Sequence, residues 1–192
     1  PSTTPLNAAE VQHSARPLLP GLHQFTPHRF ADARGYLAET YSARVLAAVG
    51  ITDVFVQDNH SLSARRVLRG LHFQKPPYAQ AKLVRVVTGR ALDVAVDLRA
   101  HSPTFGQHSA VVLDAAIGNT LYIPAGFAHG FLALEDATTL FYKCSDYYHP
   151  EAEGALRWND PELNIDWGGV VEPLVSEKDA AAPLLRDFVT PF

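Results

Sequence analysis

The sequence is poor in cysteine, lacks methionine and has no long apolar run. Its single cysteine, Cys144, excludes an intrachain disulfide and a zinc site with four thiolate ligands, so we expect a reducing, cytoplasmic environment. The apolar stretches are too short to span a bilayer, and Pro1–Glu10 lacks the charged and then apolar pattern of a signal peptide. The absence of methionine even at position 1 predicts a trimmed N-terminus.

Charge is also sparse. Charged residues make up 19% of the chain, and 16 Lys and Arg against 20 Asp and Glu give a net charge of −4. This balance excludes the basic field of a general nucleic-acid-binding protein and the charge density of a disordered tail, but a local basic cluster could still bind an anionic small molecule. The 192 residues, 47% of them hydrophobic, suffice for one core. We predict a single domain over residues 1–192, with the arms Pro1–Pro20 and Glu172–Phe192 around it.

Short apolar runs with a two-residue alternation dominate the middle of the chain and predict an all-β fold. In Ala91–Arg99, the alternation predicts one apolar core face and one polar face that carries Asp93 and Asp97. Comparable runs predict further strands at Asp53–Asn59, Val67–Gln74, Lys82–Thr88, Ser109–Asp114, Thr120–Ile123, His129–Leu134 and Thr138–Cys144. Strands at this spacing are typical of a sandwich or a barrel.

Helical signals are few. Ser42 can cap a short helix that ends at Gly50. Ser176 followed by Asp179 is a second capping signal, near the C-terminus. We therefore expect only a few short peripheral helices.

His72 stands out among the polar side chains on the predicted strands. Buried imidazoles and amides need a partner or a ligand, so inward-pointing polar groups in a small sandwich indicate a pocket. An imidazole, with an ordinary pKa of about 6.5, is well matched to removing a proton near neutral pH when a carboxylate orients its other nitrogen. Asp58 and Asp179 are the candidates for that carboxylate. The alternative is a hydrogen-bonded histidine without a catalytic role.

Lys82 and Tyr142 are the next candidates. Lys82 begins a strand whose same-face neighbours are valines, so its ammonium is either a solvated strand end or a cation that stabilises negative charge in a desolvated pocket. Tyr142 shares its face with Cys144 and is either a packing residue or a proton donor. No pattern near Cys144 indicates activation, which favours a small core residue.

His129 follows a turn that contains Pro and Gly, a position where functional residues often lie. His72, His129 and a carboxylate could form a two-histidine metal site, although the sequence has no His-x-His pair. Arg34 and Arg69 each precede a glycine, and a guanidinium there can bind a phosphate. Because strict alternation places Arg69 and His72 on opposite faces, they share a pocket only if Gly70 permits a bulge or the pocket lies at the end of the strand.

Several motifs follow one another along the chain in a fixed order: Asp32–Glu39, Gln57–Ser61, Leu68–Gln74, Ala79–Val86, Ser102–Gly106, Ile123–Phe131 and Trp158–Pro161. Together they resemble the dTDP-4-dehydrorhamnose 3,5-epimerase family. The resemblance runs from about Arg34 to Asp179 and is specific because so many blocks occur in the same order.

This resemblance implies a jelly-roll, cupin-type sandwich that needs no metal or other cofactor and works as a homodimer. The implied substrate is a dTDP-4-keto-6-deoxyhexose, epimerised next to its 4-keto group. The implied catalytic residues are His72 as general base, Asp179 as its orienting carboxylate, Lys82 on the enolate oxygen and Tyr142 as the acid on the opposite ring face. The positions matching residues that bind the nucleotide sugar or shape its pocket are Arg34, Glu39, Gln57, Asp58, Asn59, Arg69, His129, Glu153 and Lys178.

The implied reaction is double epimerisation, at C3 and C5 of dTDP-4-dehydro-6-deoxy-D-glucose. The main alternative is an epimerase that acts at only one of these carbons in antibiotic deoxysugar biosynthesis, because relatives on the same scaffold do so. The presence of both His72 and Tyr142 favours an epimerase over the 3,4-ketoisomerases of this scaffold. A silent binding module would lack the base, the lysine or the tyrosine, and a metal-dependent oxygenase would carry a stoichiometric transition metal.

Overall fold

The computed structural model describes residues 18–192, so most of the predicted arm Pro1–Pro20 lies outside the described residues. The strands in chain order are β1 (His23–Phe25), β2 (Arg29–Asp32), β3 (Gly35–Ala38), β4 (Gln57–Ser63), β5 (Leu68–Gln74), β6 (Lys82–Thr88), β7 (Arg90–Asp97), β8 (His108–Asp114), β9 (Thr120–Ile123), β10 (Phe127–Ala133), β11 (Thr138–Cys144) and β12 (Glu153–Ala155). Two short α-helices, α1 (Ala43–Ala48) and α2 (Glu177–Ala180), accompany them. No helix within residues 18–192 is long and apolar enough to cross a membrane.

The strands form two five-stranded antiparallel sheets and a separate hairpin of β2 and β3. The first sheet has the order β1-β9-β6-β11-β4, and the second has the order β12-β5-β10-β7-β8. The predicted all-β, jelly-roll type of sandwich with few short helices is therefore confirmed.

Two apolar clusters hold the sandwich together. Between the sheets, Val84 and Leu121 of the first sheet pack with Ala95 and Leu113 of the second. On the outer face of the second sheet, the C-terminal segment, residues 156–192, adds a second cluster that includes Trp167. Burial of this apolar surface is the main favourable contribution to folding.

The predicted polar face of β7 is not exposed to solvent. Val94 and Val96 lie under the C-terminal segment, whereas Asp93 lies on the inner face with Ala91 and Ala95. All five side chains are fully buried. The reason is that a second layer of chain covers the outer face, so both faces of this strand are interior. A carboxylate in this position requires a polar partner.

The boundaries of β6, β9 and β11 agree with the prediction residue by residue. The predicted strand Asp53–Asn59 is confirmed only at its end, because β4 begins at Gln57 and continues to Ser63. Phe55 instead packs beside Leu46 of α1, in a cluster on the first sheet. Apolar alternation there reflects burial under a helix rather than pairing with a strand.

Both capping residues stand where the sequence places them. Ser42 is the N-cap residue of α1, although its side chain makes no capping hydrogen bond. Ser176 is the N-cap residue of α2, and its hydroxyl accepts a hydrogen bond of 3.1 Å from the Asp179 amide. This cap fixes the turn of helix that carries Asp179.

Candidate active site

A cavity of about 720 Å³ opens between the two sheets. Strands β4, β6 and β11 of the first sheet form one wall, and β5 and β10 of the second sheet form the other. Most of the predicted site residues line it: Gln57, Asn59, Arg69, His72, Lys82, His129, Tyr142, Glu153, Lys178 and Asp179. A volume of this size is typical of a small-molecule site.

A β-bulge in β5 brings Arg69 and His72 to the same cavity. His72 pairs with His129 and Arg69 pairs with Phe131, so β5 has one residue more than β10 over this interval. Gly70 has a φ of +123°, and a Cβ there would lie 2.5 Å from the Cα atom of Gly130. Only glycine fits this conformation and this approach. The bulge that the sequence required for a shared pocket is thus present.

His72 is held by Asp179. Its Nε2 atom lies 2.7 Å from Oδ1 of Asp179, while Oδ2 accepts a hydrogen bond of 3.3 Å from the Gly70 amide. Asp179 is 3% exposed, and burial acts to raise its pKa, but the hydrogen bond and charge of His72 and the Gly70 amide outweigh this and lower it. The carboxylate therefore stays ionised at neutral pH and leaves the second nitrogen of His72 for a ligand. Of the two candidate partners, the structure places Asp179 beside His72.

Lys82, Tyr142 and Cys144 lie together on the wall opposite His72. Cys144 is the register partner of Lys82, and Tyr142 is two residues before it on the same face of β11. Burial lowers the pKa of Lys82 and raises the pKa values of Tyr142 and Cys144. The phenol and the thiol therefore keep their protons at neutral pH. Cys144 is a free, buried thiol, as expected of a small core residue.

His129 is almost completely buried and binds the buried carboxylate of β7. Its Nε2 atom lies 2.9 Å from Oδ2 of Asp93. Burial raises the pKa of Asp93, although His129 acts in the opposite direction. His129 lines the β10 side of the cavity, directly beside His72.

The rim of the cavity carries a small charged network. Glu153 accepts hydrogen bonds from Lys178 at 2.6 Å and from the hydroxyl of Tyr148 at 3.0 Å. Burial acts to raise the pKa of Glu153, but these two donors outweigh it and lower the pKa. Arg69, which is exposed, donates to Oγ of Ser63 at 3.2 Å. Arg69 and Lys178 supply cationic groups for an anionic ligand although the chain has a net negative charge.

Three predicted site residues lie outside the cavity of this chain. Asp58 faces the other side of β4 and binds Nζ of Lys143 at 2.9 Å. Arg34 is at the tip of the β2–β3 hairpin, bound to Asp32, and Glu39 follows the hairpin. The structure does not bring these three to His72.

The cavity also has polar residues that the sequence analysis missed. Ser61, Gln80 and Tyr148 all line it. Ser61 continues the alternation of Gln57 and Asn59, so this periodicity alone could have found it. Gln80 and Tyr148 lie on loops, where no periodicity operates. No group of three or more His, Cys, Asp or Glu side chains within residues 18–192 is arranged to hold a metal ion.

The arrangement suits proton transfer at a carbon beside a carbonyl group. One wall offers an imidazole with an ionised carboxylate behind it, and the other offers an ammonium and a protonated phenol. A base, a cation for developing negative charge and an acid are the groups that such a reaction needs.

Comparison with known proteins agrees with this chemistry. The family model for dTDP-4-dehydrorhamnose 3,5-epimerase matches residues 17–187. The chain is 47% identical to the dTDP-4-dehydrorhamnose 3,5-epimerase of Salmonella typhimurium over 168 residues, which cover 87% of this chain and 92% of that protein.

Two solved structures are similar to the fold described above. A dTDP-6-deoxy-D-glucose-3,5-epimerase from Legionella pneumophila, in complex with dTDP-4-keto-L-rhamnose, has a TM-score of 0.82 and 48% identity and covers 86% of this chain and 88% of its own. A 3'-monoepimerase from Streptomyces bikiniensis, in complex with dTDP-quinovose, has a TM-score of 0.82 and 38% identity, with coverage of 86% and 84%. The chain belongs to the dTDP-4-dehydrorhamnose 3,5-epimerase family.

Proposed function

We propose that the protein epimerises dTDP-4-dehydro-6-deoxy-D-glucose at C3 and C5 to give dTDP-4-dehydro-L-rhamnose. The observation that carries this proposal is the placement of His72 with Asp179 on one wall of the cavity and of Lys82 with Tyr142 on the other. A sugar ring between the walls meets a base on one face and an acid on the opposite face. Inversion at a carbon needs a base and an acid on opposite faces of the ring.

Each inversion proceeds through an enolate. The free nitrogen of His72 takes the proton from the carbon next to the 4-keto group. The C–H electron pair becomes the C=C bond of the enolate, and the π pair of the carbonyl group moves to the ketone oxygen. The Lys82 ammonium stabilises this oxygen, and the burial around Lys82 strengthens the interaction. Tyr142 returns a proton from the opposite wall, and the oxygen's electron pair re-forms the carbonyl group. Asp179 stabilises the imidazolium that forms.

The nucleotide part of the substrate fits the cationic rim. Arg69 and Lys178 lie at the cavity, and a diphosphate is recognised by such groups. The Legionella relative binds dTDP-4-keto-L-rhamnose, a dTDP-linked 4-keto sugar. We infer that the same class of ligand occupies this cavity, and that the protein works in the cytoplasm without a metal or other cofactor.

Deuterium incorporation tests the proposed function. When dTDP-4-keto-6-deoxyglucose is incubated with the protein in deuterated water, proton NMR should show exchange at both C3 and C5, and the ring couplings should be those of the L-rhamno product. Exchange at one carbon alone would identify a single-position epimerase instead. The 3'-monoepimerase relative, on the same scaffold at 38% identity, is the observation that favours this second candidate. No exchange at either carbon would overturn both.

We propose further that the single domain assembles as a homodimer in which each hairpin serves the other subunit. The β2–β3 hairpin is a sheet of its own, and Tyr36 and Leu37 on it are 59% and 69% exposed. Arg29 anchors the hairpin to the backbone carbonyl groups of Ala115 and Ala116. The hairpin thus presents apolar side chains and Arg34 away from its own cavity, which suits a second copy of the chain.

Analytical ultracentrifugation tests this assembly. We expect a mass twice the 21.0 kDa of the chain. A double substitution of Tyr36 and Leu37 by Ser should shift the mass toward the monomer and raise KM, because Arg34 and Glu39 then no longer reach a partner's cavity. A monomeric parent protein with full activity would contradict the proposal.

A further inference from the structure

Gln80 is the side chain that contacts the Lys82 ammonium most directly. Its Oε1 atom accepts a hydrogen bond of 3.3 Å from Nζ of Lys82. Among the described residues, it is the hydrogen-bond acceptor that the structure gives to this ammonium. The neighbours of Lys82 on β11 are a thiol and a phenol whose protons remain in place. Gln80 is therefore the neutral acceptor that holds the charged end of Lys82 at the cavity wall.

The orientation of the Gln80 amide is fixed from behind. Its Nε2 atom donates hydrogen bonds to the backbone carbonyl groups of Asp146, at 2.8 Å, and Tyr147, at 3.1 Å. These two bonds use both donors of the amide, so only the carbonyl oxygen remains to face Lys82. The amide cannot flip without placing its NH₂ group against an ammonium.

The chain around Gln80 is also tied to the segment that it binds. The Ala81 amide donates to Oγ of Ser145 at 2.8 Å, and the Ser145 amide donates to the carbonyl group of Ala81 at 3.0 Å. The loop before β6 and the loop after β11 are thus joined by side-chain and backbone hydrogen bonds. Gln80 links Lys82 to this joined pair of loops.

We propose that Gln80 is a positioning residue for the reaction, which fixes Nζ of Lys82 so that its remaining N–H donors point at the enolate oxygen. This inference rests on the proposed function, in which Lys82 stabilises the enolate. An ammonium has three donors, and the bond to Gln80 uses one of them. The other two N–H donors of Lys82 are then already directed before the reaction. This matters because a donor that must reorient during the reaction contributes less to stabilising the transition state.

Gln80 also favours the charged form of Lys82. Burial lowers the pKa of this lysine, and an acceptor on the ammonium acts against that effect. The other titratable groups that line the cavity are Tyr142 and Cys144 on β11, His72, His129 and Asp179 on the far side, and Arg69, Tyr148, Glu153 and Lys178 at the rim. Since none of these donates to or accepts from Nζ in the structure, removal of the Gln80 acceptor should move the titration of Lys82 directly.

Two substitutions of Gln80, together with a control at Gln74, test the inference. In Gln80→Leu, we expect kcat to fall about 10- to 100-fold while KM changes less than about threefold, because a misdirected Lys82 fails mainly in the transition state. The alkaline limb of the kcat–pH profile should move to lower pH. Gln80→Glu keeps an acceptor for Nζ and adds a negative charge, although it loses the two donors to Asp146 and Tyr147, so this limb should move to higher pH. NMR titration of the labelled ε-methylene group of Lys82 should show its pKa lowered in Gln80→Leu and raised in Gln80→Glu.

Gln74→Leu is the matched control. Gln74 also donates from Nε2 to the carbonyl group of Tyr147, at 3.0 Å, and to that of Tyr78, at 2.8 Å, but the structure gives it no bond to Lys82. We expect it to lower stability or raise KM without changing the pKa of Lys82.

The inference is wrong if Gln80→Leu keeps full kcat. It is also wrong if the Lys82 pKa in Gln80→Leu is unchanged or equals that in Gln74→Leu. A parent protein with no exchange at C3 or C5 but with the expected Lys82 shifts would overturn the proposed function alone. If Gln80→Leu does not fold, Gln80→Glu alone decides: a raised Lys82 pKa supports the inference, and an unchanged or lowered pKa contradicts it.

Discussion

The His72→Ala variant should lose deuterium exchange at both C3 and C5, with a fall in kcat of about 10³-fold. The residual Asp179 carboxylate is 3% exposed, lies behind the histidine and cannot take its place at the carbon. The side chain of His72 is 36% exposed, but its removal leaves the buried Asp179 carboxylate without this partner, so we also expect a modest loss of stability. Single-turnover NMR in deuterated water, with circular dichroism to verify the fold, measures both effects.

Tyr142→Phe is the informative comparison for that result. It removes the phenol oxygen and leaves the base and the lysine in place. We expect exchange at the carbon to continue, with protonation returned from the His72 side, while inversion falls more steeply than exchange. Retention of exchange by His72→Ala, or loss of exchange in both variants to the same degree, would contradict the assignment of base and acid to opposite walls.

Lys82→Met should lower kcat by about 10²- to 10³-fold, the range found when a single donor to a developing oxyanion is removed. Methionine keeps the length and fills the space beside Val84 and Cys144 without a charge. Steady-state kinetics and exchange at both carbons measure the loss. Undiminished kcat in this variant would exclude Lys82 as the residue that stabilises the enolate.

The same variant should be at least as stable as the parent protein at neutral pH. Burial lowers the folded-state pKa of Lys82 below its ordinary 10.5, so between these two values the unfolded chain binds more protons than the folded one. Stability of the parent therefore rises with pH in that window, and the cost of the buried ammonium is fully present below it. The difference in Tm between Lys82→Met and the parent should shrink as pH rises toward 10.5. A Lys82→Met protein that is far less stable at pH 7 would show that the ammonium has a structural role.

The sequence predicted the sandwich well where strands have one interior face. Val84 and Val86 lie on the inner face of β6 with Arg85 between them on the other face, and the predicted limits of this strand are confirmed. Where a further layer of chain is added, local pattern was insufficient. Phe55 alternates like a strand residue but packs under α1, and Asp93 reads as solvent-facing although the C-terminal segment makes β7 interior on both sides.

The residues proposed for catalysis could be found from the sequence because they lie on strands or carry a capping signal. His72, Lys82 and Tyr142 have directions fixed by alternation, and Ser176 marked the turn that carries Asp179. Gln80 has no such signal: it lies in the loop before β6, and its role follows from contacts with a segment more than sixty residues away in the chain. Contacts between loops depend on how the whole sandwich closes, which no local pattern encodes.

The docking of the C-terminal segment also has a temporal consequence. Asp179, the carboxylate behind His72, stands 107 residues further along the chain, on a helix that follows the last strand of the sandwich. During synthesis, both sheets can be completed while this carboxylate is still missing, and the imidazole then has no ionised partner. In the proposed mechanism, the pair of His72 and Asp179 is therefore complete only when the C-terminal segment has docked on the sandwich.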